Sequence, residues 1–260
     1  MLKILKYSFS DLMRSRWSYV YFIFYLLLGL VLLFLNNDLS KAVITLMNVI
    51  IILVPLIGTI FGVMYYYNSK EFTELLLAQP VKRSSIFLGQ YLGVALSLSM
   101  SLIIGLGVPF IFYGLFQSAA IWNFVLLLIT GAFLTFIFTA LAFNIALYNE
   151  NKIKGFSYAI LLWLFLAVVY DGIFLLSLVF FEDYPLDKFS LVMTMFNPID
   201  LSRILILLKL DISALMGYTG AVYQKFFGTN LGLIVSLIVL SFWVILPVFN
   251  LNRKSNKKDF

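Results

Sequence analysis

Residues 42–67 read AVITLMNVIIILVPLIGTIFGVMYYY, a stretch without one charged side chain. An α-helix rises 1.5 Å per residue, so about 20 such residues cross a hydrocarbon core of about 30 Å. Five further runs have the same character, at residues 17–35, 86–116, 121–148, 156–181 and 231–249, and the charges of the chain lie almost entirely between them. The expected fold is therefore an all-α membrane protein of six transmembrane helices, a single transmembrane domain over residues 1–260. Hydrophobic residues make up 63% of the chain and charged ones only 12%, a balance that excludes a soluble globular domain.

The connections orient the spans. With the amino terminus inside, the cytoplasmic side receives Lys3, Lys6, Arg14, Arg16, Lys70, Lys82, Arg83, Lys152, Lys154, Arg253, Lys254, Lys257 and Lys258, thirteen of the 18 basic residues. Lys41, Lys188, Arg203, Lys209 and Lys225 fall outside. Basic residues mark the cytoplasmic side, so a multi-pass protein of the bacterial inner membrane with both termini cytoplasmic is expected. The net charge of +6 is then a consequence of topology, and nucleic acid is not an expected partner. Residues 1–6 lack a sustained apolar core and a cleavage site, so the run 17–35 is expected to be retained as a span.

Three segments outside the spans carry information. Leu2, Leu5, Phe9 and Leu12 share one helical face while Lys3, Lys6 and Arg14 lie off it, which predicts an amphipathic elbow helix over residues 1–16 against anionic membrane lipid. Residues 68–85, NSKEFTELLLAQPVKRSS, order acids before leucines and a Pro-basic end. That is the pattern of a short cytoplasmic helix suited to docking, with Glu71 and Glu74 near its positive end, Leu75 and Leu76 for burial, and Pro80, Val81, Lys82 and Arg83 closing it. Residues 182–230 form a long outer segment. Within it, 199–215 is too interrupted by Asp200, Arg203, Lys209 and Asp211 to cross lipid, and the spacing of Leu201, Ile204, Leu205, Leu208 and Ile212 predicts a helix lying on the outer membrane surface.

Chemistry-bearing residues are sparse. With no Cys and no His, thiolate and imidazole metal sites and His-based catalysis are excluded, and no GxxxxGK[ST] loop occurs to cradle a nucleotide. No catalytic residues, metal site or cofactor are expected in this chain. Asp171 is the sole acid deep within a span, where it lines a path or forms a hydrogen-bonded knot with Tyr170. In the outer segment Asn197 can cap a helix opened by Pro198, with Asp200 in its first turn and Arg203 at i+3 from it; this surface either stabilises itself or meets a periplasmic partner.

The loop pattern resembles the first cytoplasmic loop of ABC exporter permeases of the second type: Glu71, Glu74, the leucines, Pro80, Val81, a basic residue, a hydrophobic pair, then Gly89, Gln90 and Tyr91. Two positions depart from it, Phe72 where that family carries Gly and Gln90 where it carries Lys. The resemblance implies that residues 68–85 hold a coupling helix seated on a separate cytoplasmic ABC ATPase, which binds ATP and Mg, and that the permease pairs with a second copy of itself. Tyr170, Asp171 and the order Asn197-Pro198-x-Asp200-x-x-Arg203 are similar to the branch of this family that serves nitrous oxide reductase maturation. That branch implies a NosF-like ATPase, a NosD-like periplasmic β-helical protein on the outer segment, and a role in building a copper-sulfide centre. A general exporter of lipid, drug or polymer, and a non-transporting mechanical transducer, share the same scaffold.

Overall fold

The computed structural model describes all residues except 37, 119, 182–185, 210–222, 225, 227 and 257–260. Lys257, Lys258, Lys225, Asp211 and Ile212 thus lie outside the described residues. Those described are predominantly helical, with no strand among them. Helix α1 (Leu2–Arg14) leads through Ser15 into α2 (Arg16–Asn36), α3 (Leu39–Asn68), α4 (Lys70–Leu77), α5 (Arg83–Phe112) and α6 (Ile121–Tyr148). The next span is composite: α7 (Lys152–Leu164), a π turn (Phe165–Val169) and α8 (Tyr170–Phe180). Then follow α9 (Asp187–Met195), α10 (Pro198–Lys209) and α11 (Asn230–Ser255).

Six of these units are long and apolar enough to cross a membrane, as the sequence led us to expect. Run 86–116 is shorter as a helix than as an apolar stretch. It ends at Phe112, where Gly114 takes φ +88°, a left-handed turn that a side chain disfavours, before a 3-10 turn at Leu115–Gln117.

Lipid supplies no hydrophobic force between helices, so they associate through close packing and polar contacts, favouring small residues at the seams. Along α5 every fourth residue from Gly89 to Pro109 is small or proline and buried: Gly89, Gly93, Ser97, Ser101, Gly105 and Pro109. This stripe carries α1 and then α2. A Cβ on Gly89 would lie 3.0 Å from Ile4 Cγ2, one on Gly105 would lie 2.9 Å from Tyr25 Cβ, and one on Gly29 of α2 would lie 3.2 Å from Pro109 Cγ. The second seam joins α3 to α6, where a Cβ on Gly62 would stand 2.8 Å from Ala142 Cβ. Asn144 of α6 ties α11 to the bundle, donating to the Pro247 carbonyl at 2.8 Å and accepting from Asn250 at 3.0 Å. These contacts accord with the interhelical role that polar residues within spans commonly play.

The elbow helix packs on the bundle through a face that only partly overlaps the apolar one assigned to lipid. Ile4, Ser8 and Leu12 are buried, whereas Leu2 is 79% exposed. Close approach to the glycines of α5 selects the face that offers a small residue, Ser8, at the crossing. A Cβ at Gly93 would fall 2.6 Å from Ser8 Cβ and 2.9 Å from the Phe9 backbone nitrogen, so Gly93→Ala should displace α1 and destabilise the fold by about 1–3 kcal/mol. Thermal unfolding in detergent checks this, with Gly107→Ala as the control because nothing lies within 4 Å of a Cβ there.

The outer segment departs most from expectation. Helix α10 does not leave one face free of the protein, as a helix lying on a membrane surface would. Ile199, Leu201, Ile204, Leu205, Ile206 and Leu208 are all buried, residues from every side of the helix, and α10 packs against α3, α6 and α11. With α9 it forms a hairpin bent by 116°. The hairpin tip reaches the middle of its neighbours: the Trp243 indole of α11 donates to the Met195 carbonyl at 3.1 Å, and Asn197 donates to the Leu166 carbonyl in the π turn at 2.8 Å. The bent pair has the length and composition of a broken span or a re-entrant loop, and Arg203 is paired both locally with Asp200 and with the distant Asp171.

Candidate functional site

Two constellations stand out, one at the end of the bundle that bears α4 and one within the membrane. Helix α4 is eight residues long, with Glu71 in its first turn, where the positive end of the helix dipole favours an acid, and Pro80 beyond its end. Its inward face is fixed at two points. Thr73 is buried, accepts a hydrogen bond from Gln90 Nε2 of α5 at 2.8 Å and donates to the Ser69 carbonyl at 2.8 Å. Phe72 stacks on Tyr7 of α1 with ring centroids 4.6 Å apart. The outward face presents Lys70, Glu71, Glu74 and Leu75, followed by Pro80, Lys82 and Arg83, all exposed, with Leu76 and Val81 half-buried. The Lys70–Glu74 pair at 3.9 Å is solvent-exposed and contributes little stability. An exposed Leu75 flanked by charges is what a docking face presents before it is covered.

Sequence reasoning singled out the outward residues and did not assign the anchors. Phe72 and Gln90, the two departures from the loop pattern, each hold α4 against a neighbouring helix. The departures themselves were the signal.

Of six residues read as two groups in the sequence, four, Asp171, Asn197, Asp200 and Arg203, form one network. Arg203 Nη1 donates to Asp171 Oδ2 at 2.8 Å and to Asp200 Oδ1 at 3.3 Å. Asn197 Nδ2 donates to Asp200 Oδ2 at 2.8 Å as well as to the Leu166 carbonyl, and its Oδ1 accepts from the Ile199 backbone N–H, so Asn197 caps α10 as expected. Pro198 is the first residue of α10. Tyr170 donates to the Met193 carbonyl at 2.6 Å rather than to Asp171. A charge inside lipid must face protein or a partner, and one guanidinium here serves two carboxylates from different elements. A cavity of about 220 Å³ adjoins it, lined by Asp171, Thr194, Asp200, Arg203 and Tyr223 among others.

Of the two readings of Asn197, Pro198, Asp200 and Arg203, this geometry favours the one in which the segment stabilises itself over a face offered to a periplasmic protein. Asn197 and Pro198 are buried, Asp200 is 7% exposed, and Arg203 is engaged by the two acids. The network holds α8 to the hairpin. Helix α8 buries no side chain of its own, so Tyr170 and Asp171 supply its ties to the protein. The Leu166 carbonyl was not legible in the sequence, since nothing in FLAVV announces a π turn. Among the described residues no group of three metal-ligating side chains occurs.

No protein-family model matches the chain. Among curated proteins it is similar to the probable ABC transporter permease protein NosY of Stutzerimonas stutzeri, 23% identical over 218 residues that cover 78% of this chain and 79% of that protein. Six apolar spans make the chain a multi-pass membrane protein, and this similarity supports its being an ABC transporter permease.

Proposed function

We propose that the chain is the membrane permease subunit of an ATP-driven ABC transporter, inserted in the bacterial inner membrane with both termini cytoplasmic and working as a homodimer. The observation that carries this reading is α4: a short amphipathic helix between two spans, anchored inward by Thr73 and Phe72 and leaving Glu71, Glu74 and Leu75 free to dock. ATP and Mg bind to a separate cytoplasmic ATPase, and its closure on nucleotide pushes α4. Because α4 is tied to α1 by a ring stack and to α5 by a buried hydrogen bond, the push is delivered to the α1–α5 seam.

Similarity over most of its length to a NosY permease supports a role in maturing the copper-sulfide centre of nitrous oxide reductase, with a NosF-like ATPase inside and a NosD-like β-helical protein outside. The permease either exports a sulfur species or drives the periplasmic subunit mechanically. A second copy covers the fifth span, of which only 11% is buried within one chain against 67% for α5.

Deleting the gene in a nitrous oxide-respiring host should leave nitrous oxide reductase exported but lacking its copper-sulfide absorption. A wild-type spectrum in the deletion strain removes the maturation role and leaves a general exporter. A reporter fused at Lys188 should behave as periplasmic and one fused after Ser255 as cytoplasmic; cytoplasmic behaviour at Lys188 would overturn the orientation.

A further inference from the structure

A groove of about 490 Å³ runs along α11 where it meets α6 and the tip of the α9–α10 hairpin. Leu141 and Asn144 of α6, Met195 and Phe196 of the hairpin, and Leu246 and Asn250 of α11 line it, so the wall is apolar except at the end where the two asparagines bond to each other. On α11 the lining begins at Val239 and stops at Asn250, a rise of about 16 Å, which matches one leaflet of a hydrocarbon core about 30 Å thick. The groove opens sideways, since Phe196, Phe242 and Leu246 are each more than half exposed.

One helical turn past Asn144 and Asn250, at i+4 on the same two helix faces, stand Tyr148 and Lys254. The Lys254 ammonium lies 3.2 Å from the centroid of the Tyr148 ring. This is the end of the bundle that bears α4, because Tyr67 at the close of α3 donates to the Asn149 carbonyl at 2.6 Å. Neither Lys254 nor the exposed Arg253 beside it forms a salt bridge among the described residues. Glu150, the acid nearest Tyr148 in sequence, lies by Tyr66 of α3 instead. From residue 253 the chain reads RKSNKKDF, four bases to one acid. An apolar groove one leaflet deep that ends at an ammonium without a carboxylate is completed by an acyl chain and a negative headgroup: the chain covers the wall and the phosphate takes charge-assisted hydrogen bonds from Lys254.

We infer that the groove holds one anionic phospholipid of the leaflet on the α4 side, its acyl chain along α11 from Asn250 towards Val239 and its headgroup at Lys254 and Arg253. A second copy of the chain is the other occupant the groove could take. Seated here about a two-fold axis, it would bring the basic ends of two α11 helices together, and like charges oppose that. Lipid in the groove seats the closing span, of which only 22% is buried within one chain. The inference stands whether or not α4 docks an ATPase.

The test uses native mass spectrometry to measure lipid retained by the detergent-purified chain, with phosphatidylglycerol, phosphatidylcholine of the same acyl chains and inorganic phosphate as separate additions. One phosphatidylglycerol per chain should be retained, and phosphatidylcholine should bind about fivefold more weakly. Lys254→Gln should weaken phosphatidylglycerol retention about fivefold and Lys254→Glu about thirtyfold, the effects of removing and then reversing one basic charge at a membrane surface, with phosphatidylcholine unaffected by Lys254→Gln. Lys254→Arg keeps the charge and the ring contact, and should retain phosphatidylglycerol as wild type does. Leu246→Trp fills the groove and should reduce retention of both lipids. Lys41→Gln removes an exposed base at the other end of the bundle and should change nothing. Equal retention of the two lipids by wild type, or a loss with Lys41→Gln as large as with Lys254→Gln, would reduce the binding to diffuse charge attraction and overturn the inference. Thermal protection by phosphate equal to that by phosphatidylglycerol would mark an anion site without lipid, and the inference would fail. It would fail equally if Leu246→Trp split a dimer into monomers while lipid retention held, since the groove would then be an interface between copies.

Discussion

Arg203→Ala should destabilise the folded chain by about 3–5 kcal/mol, the cost of removing one member of a buried ion pair. The substitution leaves Asp171 and Asp200 facing each other across the bent hairpin with no cation, among apolar helices that cannot solvate either. The lower end of that range is expected, since Asp171 and Arg203 keep roughly a quarter to a third of their side-chain surface open in one chain. Arg203→Lys should recover only part of the loss, because a single ammonium lacks the planar fork that serves two carboxylates. Pairing Arg203→Leu with Asp171→Asn and Asp200→Asn should recover more, since no uncompensated charge remains. Thermal unfolding in detergent measures all three; a wild-type transition for Arg203→Ala would show that the network does not hold the hairpin.

Reversing Glu71 and Glu74 together to Lys should lower ATPase affinity about tenfold or more and abolish stimulation of ATP hydrolysis, with insertion unaffected. Both side chains are exposed and make no contact that fixes the fold, apart from the weak Lys70–Glu74 pair. The intrinsic cost to α4 is small, about 0.3–1 kcal/mol for each charge placed wrongly against the helix dipole. An effect on the complex far larger than on permease stability therefore identifies a docking role. Retained stimulation by the double reversal would remove α4 from coupling.

The spans were legible because length and apolarity are local properties, and each boundary moved by only a few residues. The docking helix was legible for a similar reason, as acid order, leucines and Pro80 lie within one short stretch. What the sequence hid was compensation at a distance. Asp200 and Arg203 read as a barrier to membrane entry, yet Asp171 and Asn197 make them compatible with it, and no periodicity reports a partner some thirty residues away. The elbow helix shows the same limit from another side. Its most hydrophobic face includes Leu2 and Leu5, but the face it buries is chosen by Gly89 and Gly93 on another helix. The spacing of glycines and serines along α5 was present in the sequence, and it gains meaning once α1 and α2 are seen to lie along it.

The central claim is that this chain couples to an ATPase through α4, and its most direct test is ATP hydrolysis in proteoliposomes. The permease and the ABC ATPase that co-purifies with it are reconstituted together, with and without Glu71→Lys/Glu74→Lys. Hydrolysis well above that of the ATPase alone, lost in the double reversal while the permease remains inserted, is the expected result. An ATPase rate that is the same with wild-type permease, with the double reversal and with empty liposomes would contradict it.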